Sequence, residues 1–225
     1  MLILLSYLLG SIPTGFLVAK AKGVDIRSVG SGNIGATNVF RILGKAAGIF
    51  VLTADAVKGA LAVGLLAPLI YSEFVRPLPT GAAPASFLTF SQNGGLLVVA
   101  GIFAILGHNY TCWLKFKGGK GIATTAGVFA ALAPAAFGIA LAAWLVVFAA
   151  SRYVSLASIV AAVALPLAVW LTGNGGLLNG AAAALGALAI YKHKANIERL
   201  LAGTENRIGT KKTGSLEQPP EQKKV

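Results

Sequence analysis

Long apolar stretches separated by short polar segments run through most of the chain. Most of these stretches approach the roughly 20 residues that an α-helix needs to cross the hydrocarbon core of a bilayer. No basic residue precedes the first of them, so we interpret it as a retained helix, with a cleaved signal peptide as the weaker alternative. The pattern predicts an all-α, polytopic integral membrane protein whose apolar stretches lie near 2–19, 46–71, 95–110, 122–150, 154–171 and 177–191.

The longest apolar stretch carries Pro134 close to its middle. Proline inside a helix removes a backbone donor and clashes with the preceding turn, so the sequence predicts a break there. The part before the proline would rise only about 18 Å at about 1.5 Å per residue, which is too short to cross a bilayer alone. With this break, the apolar stretches become seven helical segments, one of them short.

Three clusters of basic residues decide the orientation, because cytoplasmic loops of membrane proteins carry an excess of lysine and arginine. The clusters lie at 20–45, at 115–120 and from Lys192 onwards. Seven segments, with the N-terminus outside and the C-terminus in the cytoplasm, place all three clusters inside. Six crossings would put both chain ends on the same side and leave the third cluster outside. We predict one membrane domain over 1–208, an external loop over 72–94 and a polar, disordered cytoplasmic tail over 209–225.

The charge balance is strongly basic, with 19 lysines and arginines against 7 aspartates and glutamates and a net charge of +12. No carboxylate lies between Glu73 and Glu198, so we expect this region to bind an anion rather than a cation. A single cysteine excludes an intramolecular disulfide, and two histidines do not suggest a metal cluster. We therefore expect no metal, no cofactor and no nucleic-acid partner, with membrane lipid as the surroundings.

The first of three unusual polar segments is VGSGNIGATNVFRILGK, residues 29–45. Its glycines let backbone amides turn toward a ligand, and a loop of this kind that feeds a helix N-terminus binds anions. Arg41 adds a planar guanidinium suited to phosphate or carboxylate. The alternative is that the small residues only let membrane helices pack closely. The other candidate binding residues here are Ser31, Gly32, Asn33, Thr37 and Asn38.

The second segment, KFKGGKG, puts lysines beside paired glycines just before a helix. Backbone amides, the helix dipole and an ammonium group together favour phosphate, although the Walker spacing is absent and nucleotide hydrolysis gains no support. The alternative is a positive loop that grips anionic lipid headgroups. His108, before this segment, could transfer protons or form a structural hydrogen bond. The candidates in the segment itself are Lys117, Gly118, Gly119, Lys120 and Gly121.

The third segment is YKHKANIERLLAGTENR, in which His193 and Asn196 share one helical face. We expect the apolar residues that follow, Leu201 among them, to lie against the bundle. A histidine beside an asparagine at the water boundary can orient a polar substrate, but an amphipathic helix end lying among the headgroups explains the pattern as well.

Three further candidates are Lys58, Ser155 and Glu205. Lys58 pairs with Asp55 inside a membrane segment, where ionisable residues suggest function and mutual neutralisation is the alternative. For Ser155 the alternative is helix packing.

The segments SGNIGATNVFR, GHNYTCWLKFKGGKGIATTAG and HKANIERLLAGTEN closely resemble the three motifs of the bacterial acyl-phosphate:glycerol-3-phosphate acyltransferases, the PlsY family, in the same order. The resemblance covers about residues 1–208. It implies an enzyme of the bacterial inner membrane with its active site facing the cytoplasm. The implied reaction moves a fatty acyl group from acyl phosphate to the sn-1 hydroxyl of glycerol 3-phosphate and gives lysophosphatidate.

The resemblance also implies roles for particular residues. Substrate and phosphate contacts fall on Ser31, Arg41, Lys120, His193 and Asn196, and the glycines of FKGGKG shape the glycerol 3-phosphate site. Arg41, Lys120, His193 and Asn196 would carry the catalysis, with either His193 or the phosphate of the donor taking the hydroxyl proton. A soluble acyl-phosphate synthase could dock on the basic face.

One position departs from the family pattern, because Thr111 stands where the second motif usually has proline. This difference puts the local shape of the loop in question, not the chemistry.

Two other functions remain as alternatives from the residues alone. A transporter of a phosphorylated metabolite would also use basic loops, broken helices and intramembrane charge, but the polar motifs crowd one face and the chain shows no internal repeat. A lipid-binding scaffold would explain the charge but not the paired glycine loops.

Overall fold

The computed structural model describes residues 1–71 and 90–209, and all regular secondary structure within these ranges is helical. The prediction of an all-α protein is therefore confirmed for this part of the chain. Most of the predicted external loop and nearly all of the predicted tail, residues 72–89 and 210–225, lie outside the described residues.

The N-terminal part begins with a broken helix instead of the single predicted one. Helix α1 ends at Ser11 and α2 begins at Thr14, because Pro13 between them has no N–H to donate. Helix α4 continues through a π-helical turn, Ala62–Leu66, into the short helix α5. The helices are α1 (Leu2–Ser11), α2 (Thr14–Ala21), α3 (Ala36–Leu43), α4 (Lys45–Leu61) and α5 (Ala67–Ile70).

The C-terminal part contains the predicted break at Pro134, which begins a helix directly after the preceding one ends at Leu132. The helix before the second motif begins at Phe90, so the predicted loop over 72–94 is helical from that residue on. The helices are α6 (Phe90–Asn109), α7 (Ile122–Leu132), α8 (Pro134–Ser151), α9 (Val154–Leu171), α10 (Gly176–Lys192) and α11 (Lys194–Leu201).

Five stretches of the described chain are long and apolar enough to cross a membrane. Two shorter apolar helices, α7 and α10, accompany them. The count of seven crossing segments and the side on which each end lies stay predictions. The five stretches are Leu2–Ala21, Lys45–Ile70, Gly94–Leu114, Pro134–Ser151 and Val154–Leu171.

Small residues allow the helices to pack with their backbones in contact, as is common in membranes. A Cβ atom on Gly59 of α4 would collide with the carbonyl of Thr124 in α7, and one on Gly127 of α7 would collide with the carbonyl of Ala56. Helices α4 and α7 therefore lie against each other along their length. This contact fixes the start of α7, and with it Lys120, beside α4.

Candidate active site

The first polar segment folds around the side chain of Asn38, which is buried on α3. Its amide nitrogen donates to the carbonyl oxygens of Ile26, Val29 and Asn33 at 3.0 to 3.2 Å. Its amide oxygen accepts a hydrogen bond from the backbone N–H of Ser31 at 3.0 Å. Because both ends of this amide are engaged, Asn38 organises the loop that precedes α3.

The second polar segment is held against the end of α6 by its backbone. The N–H of Gly118 donates to the carbonyl of Asn109 at 3.2 Å, and the N–H of Gly119 donates to that of His108 at 3.0 Å. Gly121 then adopts a left-handed conformation, φ 83°, immediately before α7. These contacts leave Lys120 half-buried, two residues before α7 begins.

Thr111 occupies the position where proline was expected, and its backbone keeps a proline-like shape. Its φ of −64° is the value that a proline ring imposes. The hydroxyl donates to the carbonyl of Ser11 at 2.6 Å and thereby joins the loop to the break between α1 and α2. The backbone at this position therefore has a φ angle that a proline could also adopt.

His193 lies at the junction of α10 and α11 and is buried. Its Nδ1 lies 2.7 Å from the carbonyl oxygen of Ala189, which can only accept, so Nδ1 carries the proton and Nε2 is left as an acceptor. Burial, aided by the charge of Lys120, lowers the pKa of His193 to about 4. The ring is therefore neutral at physiological pH.

The second and third segments meet through a chain of polar contacts. The ammonium of Lys120 donates to the amide oxygen of Asn196. The Asn196 amide nitrogen donates to one carboxylate oxygen of Glu205 at 2.9 Å, and the hydroxyl of Ser155 donates to the same oxygen at 3.1 Å. Arg199 donates to the other oxygen at 2.7 Å. Glu205 thus holds the lysine, asparagine and arginine groups in fixed positions.

The charged groups in and around this series of polar contacts favour the binding of an anion. Burial lowers the pKa of Lys120 to about 8, although the nearby Glu205 opposes the shift. Burial also lowers the pKa of Arg41, which remains charged as guanidinium groups do in proteins. For Glu205, burial would raise the pKa, but hydrogen bonds from Asn196 and Arg199 outweigh it and keep the carboxylate ionised.

Two adjoining cavities surround these groups. The larger, about 390 Å³, has a polar end at the motif residues and an apolar remainder between α4, α7, α8, α9 and α10. The smaller, about 210 Å³, is lined mostly by polar and charged residues and includes Gly32 and Lys192. The residues that line both cavities are Ser31, Asn33, Lys120, Asn196 and Arg199.

Most of the predicted site residues come together at these cavities. Lys117 is exposed, and Lys58, Gly118 and Gly119 line neither cavity. Gly32 lines only the smaller one. The predicted residues that line the larger cavity are Ser31, Asn33, Thr37, Asn38, Arg41, His108, Lys120, Gly121, Ser155, His193, Asn196 and Glu205.

Two carboxylates line the larger cavity together with the basic groups, Asp55 and the predicted candidate Glu205. They reach it from segments outside the acid-free stretch between Glu73 and Glu198. Each is paired with a cation, Asp55 with Lys58 at 2.8 Å and Glu205 with Arg199 at 2.7 Å.

The sequence interpretation missed Lys192 and Arg199, which line the smaller cavity. The signal for Arg199 was present, because the spacing of three that joins His193 to Asn196 continues to this residue. Leu201 was expected against the bundle but is 85% exposed.

A family model described as glycerol-3-phosphate acyltransferase matches residues 1–203. The chain belongs to this family. A glycerol-3-phosphate acyltransferase of Geotalea daltonii is 47% identical over 205 residues, which are 91% of this chain and 95% of the relative. The corresponding protein of Geobacter sulfurreducens is 44% identical over 203 residues, 90% of this chain and 94% of the relative.

Two solved structures resemble this member of the family over nearly its whole length. Both are crystal structures of PlsY, an integral membrane glycerol 3-phosphate acyltransferase. The glycerol 3-phosphate form has a TM-score of 0.78 and 41% identity, and the lysophosphatidic acid form has a TM-score of 0.75 and 40% identity. In each case the match covers 93% of this chain and 94% of the PlsY chain. The chain is therefore an integral membrane protein and an acyltransferase by family.

Proposed function

We propose that this protein transfers a fatty acyl group from acyl phosphate to the sn-1 hydroxyl of glycerol 3-phosphate at the cytoplasmic face of a bacterial inner membrane. The products are lysophosphatidate and inorganic phosphate. The observation that supports the proposal is that Lys120 and Asn196 line both cavities. The smaller cavity is lined mostly by polar residues, and the larger one has a long apolar part. One site can thus hold a phosphate-bearing alcohol beside an acyl chain.

The polar side of the site suits two phosphates. The cationic side chains that line it are Arg41, Lys120, Lys192 and Arg199. The carboxylate of Glu205 is already paired with Arg199. Cationic donors at half-buried positions bind phosphate more strongly than they would in water. We assign glycerol 3-phosphate to the smaller cavity and the phosphate of the donor to the polar end of the larger one, which includes Arg41.

The apolar side suits the acyl chain. Phe137, Leu141 and Trp144 recur on one face of α8 and line the larger cavity. Leu52 of α4 and Leu141 also line it, yet they are 51% and 41% exposed. The cavity is therefore open at its side, which would let a chain enter from the lipid.

The chemistry that we propose is a direct acyl transfer. The sn-1 oxygen bonds to the acyl carbon, the bond from that carbon to the phosphate oxygen breaks, and phosphate leaves. Acyl phosphate is already activated, so no covalent enzyme intermediate is needed, and Cys112 lines neither cavity. The cations stabilise the charge that develops on the carbonyl and on the leaving phosphate, while Asn196 and Ser31 contribute hydrogen bonds.

His193 orients the acceptor hydroxyl in this proposal. Its unprotonated Nε2 can accept a hydrogen bond from the alcohol, but a pKa of about 4 makes it a weak base. A phosphate has a second pKa of about 6, so the donor phosphate is the better proton acceptor.

The test is turnover by purified protein in detergent, without a membrane gradient. With acyl phosphate and glycerol 3-phosphate we expect equal amounts of lysophosphatidate and phosphate, with the ester at sn-1 by NMR. An acyl-CoA of the same chain length serves as the comparison donor. Product from acyl-CoA alone would refute the proposed donor, and no product from either donor would refute the enzyme and favour a transporter.

A further inference from the structure

A second polar cluster lies inside the helix bundle, beside the proposed site. Asp55 and Lys58 of α4 and His108 of α6 are all buried, at 2%, 5% and 6% exposure. The ammonium of Lys58 lies 2.8 Å from a carboxylate oxygen of Asp55, 3.0 Å from Nδ1 of His108 and 3.0 Å from the carbonyl of Ile12. The ammonium therefore links α4 to α6 and to the break between α1 and α2.

The histidine of this cluster supports the glycine loop directly. Lys58 can only donate, so Nδ1 of His108 accepts and Nε2 carries the proton. A Cβ atom added to Gly119 would overlap Nε2 of His108, and the three nearest atoms to that Cβ all belong to this ring. The imidazole therefore packs against the backbone of Gly119, the residue before Lys120.

Burying two charges between membrane helices is costly, and helix packing alone does not require it. The contacts show what the charges hold in place. Lys58 fixes the ring of His108, and the ring and backbone of His108 fix Gly119. Since Lys120 follows at once, the position of its ammonium depends on this cluster.

We propose that Asp55, Lys58 and His108 form a positioning network that aligns Lys120 for phosphate binding. The inference rests on the proposed function of Lys120 and extends it to residues that do not need to touch substrate. It differs from the simpler idea that Gly119 is small in order to let a phosphate approach, because the Cβ direction of Gly119 points at the ring of His108, and Gly119 itself lines neither cavity.

A double-mutant cycle separates these two explanations. Gly119→Ala and His108→Ala should each lower kcat/KM for glycerol 3-phosphate by about 10- to 100-fold, the loss that a small misplacement causes. The double variant should be no worse than His108→Ala alone, because removing the ring makes room for the new methyl group. Losses that multiply in the double variant would overturn the proposal, as would a His108→Ala enzyme with wild-type kinetics.

A second variant tests the charged pair without leaving a lone buried charge. Asp55→Asn combined with Lys58→Met removes both charges, which a fold tolerates better than losing one partner. We expect it to purify as folded protein with a kcat/KM for glycerol 3-phosphate at least about tenfold lower, because His108 has lost its donor. A folded double variant with wild-type kcat/KM would refute the network.

Leu178→Ala is the matched control for general destabilisation, since Leu178 is buried and lines neither cavity. It should melt at a lower temperature with kcat/KM unchanged. Binding of glycerol 3-phosphate measured by calorimetry gives a second readout, and we expect it to weaken in the network variants and not in the control. Wild-type turnover is measured alongside, so an inactive wild type speaks against the proposed function, and active variants speak against the network alone.

Discussion

The protonation of single side chains decides how we assign the chemistry. His193 carries its proton on Nδ1, where it meets the carbonyl of Ala189, and its pKa of about 4 keeps the ring neutral. Lys120, with a pKa of about 8, stays charged up to slightly alkaline pH. These two values predict different effects of pH on the enzyme.

Replacing His193 by glutamine tests its role. Glutamine keeps a hydrogen-bond acceptor of comparable size but has no basicity, so we expect kcat to fall by less than the roughly 10² to 10⁴ typical of base removal. Because His193 titrates near pH 4, an acidic limb near pH 6 in the wild type belongs to a substrate phosphate and should persist in the variant. Loss of that limb, with kcat down about a thousandfold, would make His193 the base.

The lowered pKa of Lys120 predicts that activity falls at alkaline pH. The group binds phosphate in its charged form, which is lost as the pH rises through about 8 in the free enzyme. We expect kcat/KM for glycerol 3-phosphate to fall above this pH, while the limb in kcat lies higher because bound phosphate stabilises the ammonium. Lys120→Arg should lower activity overall and remove the limb, since a guanidinium stays charged. A limb that stays at the same pH in the arginine variant would exclude Lys120 as its source.

At the scale of helices and loops, proline positions were only partly predictable. Pro134 ends one helix and begins another as expected, and Pro13 breaks a stretch that was expected to be continuous. Pro166 instead lies inside α9 without ending it. Because proline has no N–H, Pro166 donates no hydrogen bond to the carbonyl of Ala162, four residues earlier. This carbonyl lies against Gly186 of α10. The sequence thus predicted correctly that 154–171 is one segment and that the chain breaks at Pro134, whereas it missed the break at Pro13.

The loop after α6 gives a prediction about Thr111. Thr111→Pro fits the backbone φ of −64° and restores the residue that the motif usually has. The gain from a stiffer unfolded chain, about 0.4 to 1 kcal/mol, should roughly offset the lost hydroxyl contact to Ser11, which is worth about 1 kcal/mol. We expect a melting temperature close to wild type and kcat within about threefold, against a less stable Thr111→Val control. A proline variant less stable than the valine variant would contradict this account of the loop.

For the molecule as a whole, the sequence predicted the helical class, the family and most of the polar residues that line the two cavities. The first two polar segments offer donors without acids, the third adds Glu205, and all three contribute residues to the larger cavity. Lys192, Arg199 and the network of Asp55, Lys58 and His108 depend on contacts between distant helices. Such contacts follow from packing, which one sequence does not reveal, and the contact of Gly119 with the ring of His108 is another of them.

The orientation of the whole protein in the membrane is a further prediction. In a Cys112→Ser background, Lys117→Cys and Thr204→Cys should react with an impermeant thiol reagent only from the cytoplasmic side. Asn174→Cys, between α9 and α10, should react only from outside. The sides follow from the basic clusters near 117 and 204 and the uncharged turn near 174. External labelling at position 204 would contradict both the orientation and a shared cytoplasmic site.

The proposed reaction is a direct transfer of the acyl group between two substrates held in adjoining cavities. Its most direct test uses glycerol 3-phosphate labelled with oxygen-18 at the sn-1 hydroxyl, mixed with unlabelled acyl phosphate and purified protein. We expect the label to be retained in the ester of lysophosphatidate and the released phosphate to be unlabelled, because the alcohol oxygen attacks the acyl carbon. Free fatty acid together with a glycerol bisphosphate that carries the label would show attack at phosphorus, and would contradict the acyl transfer proposed for this site.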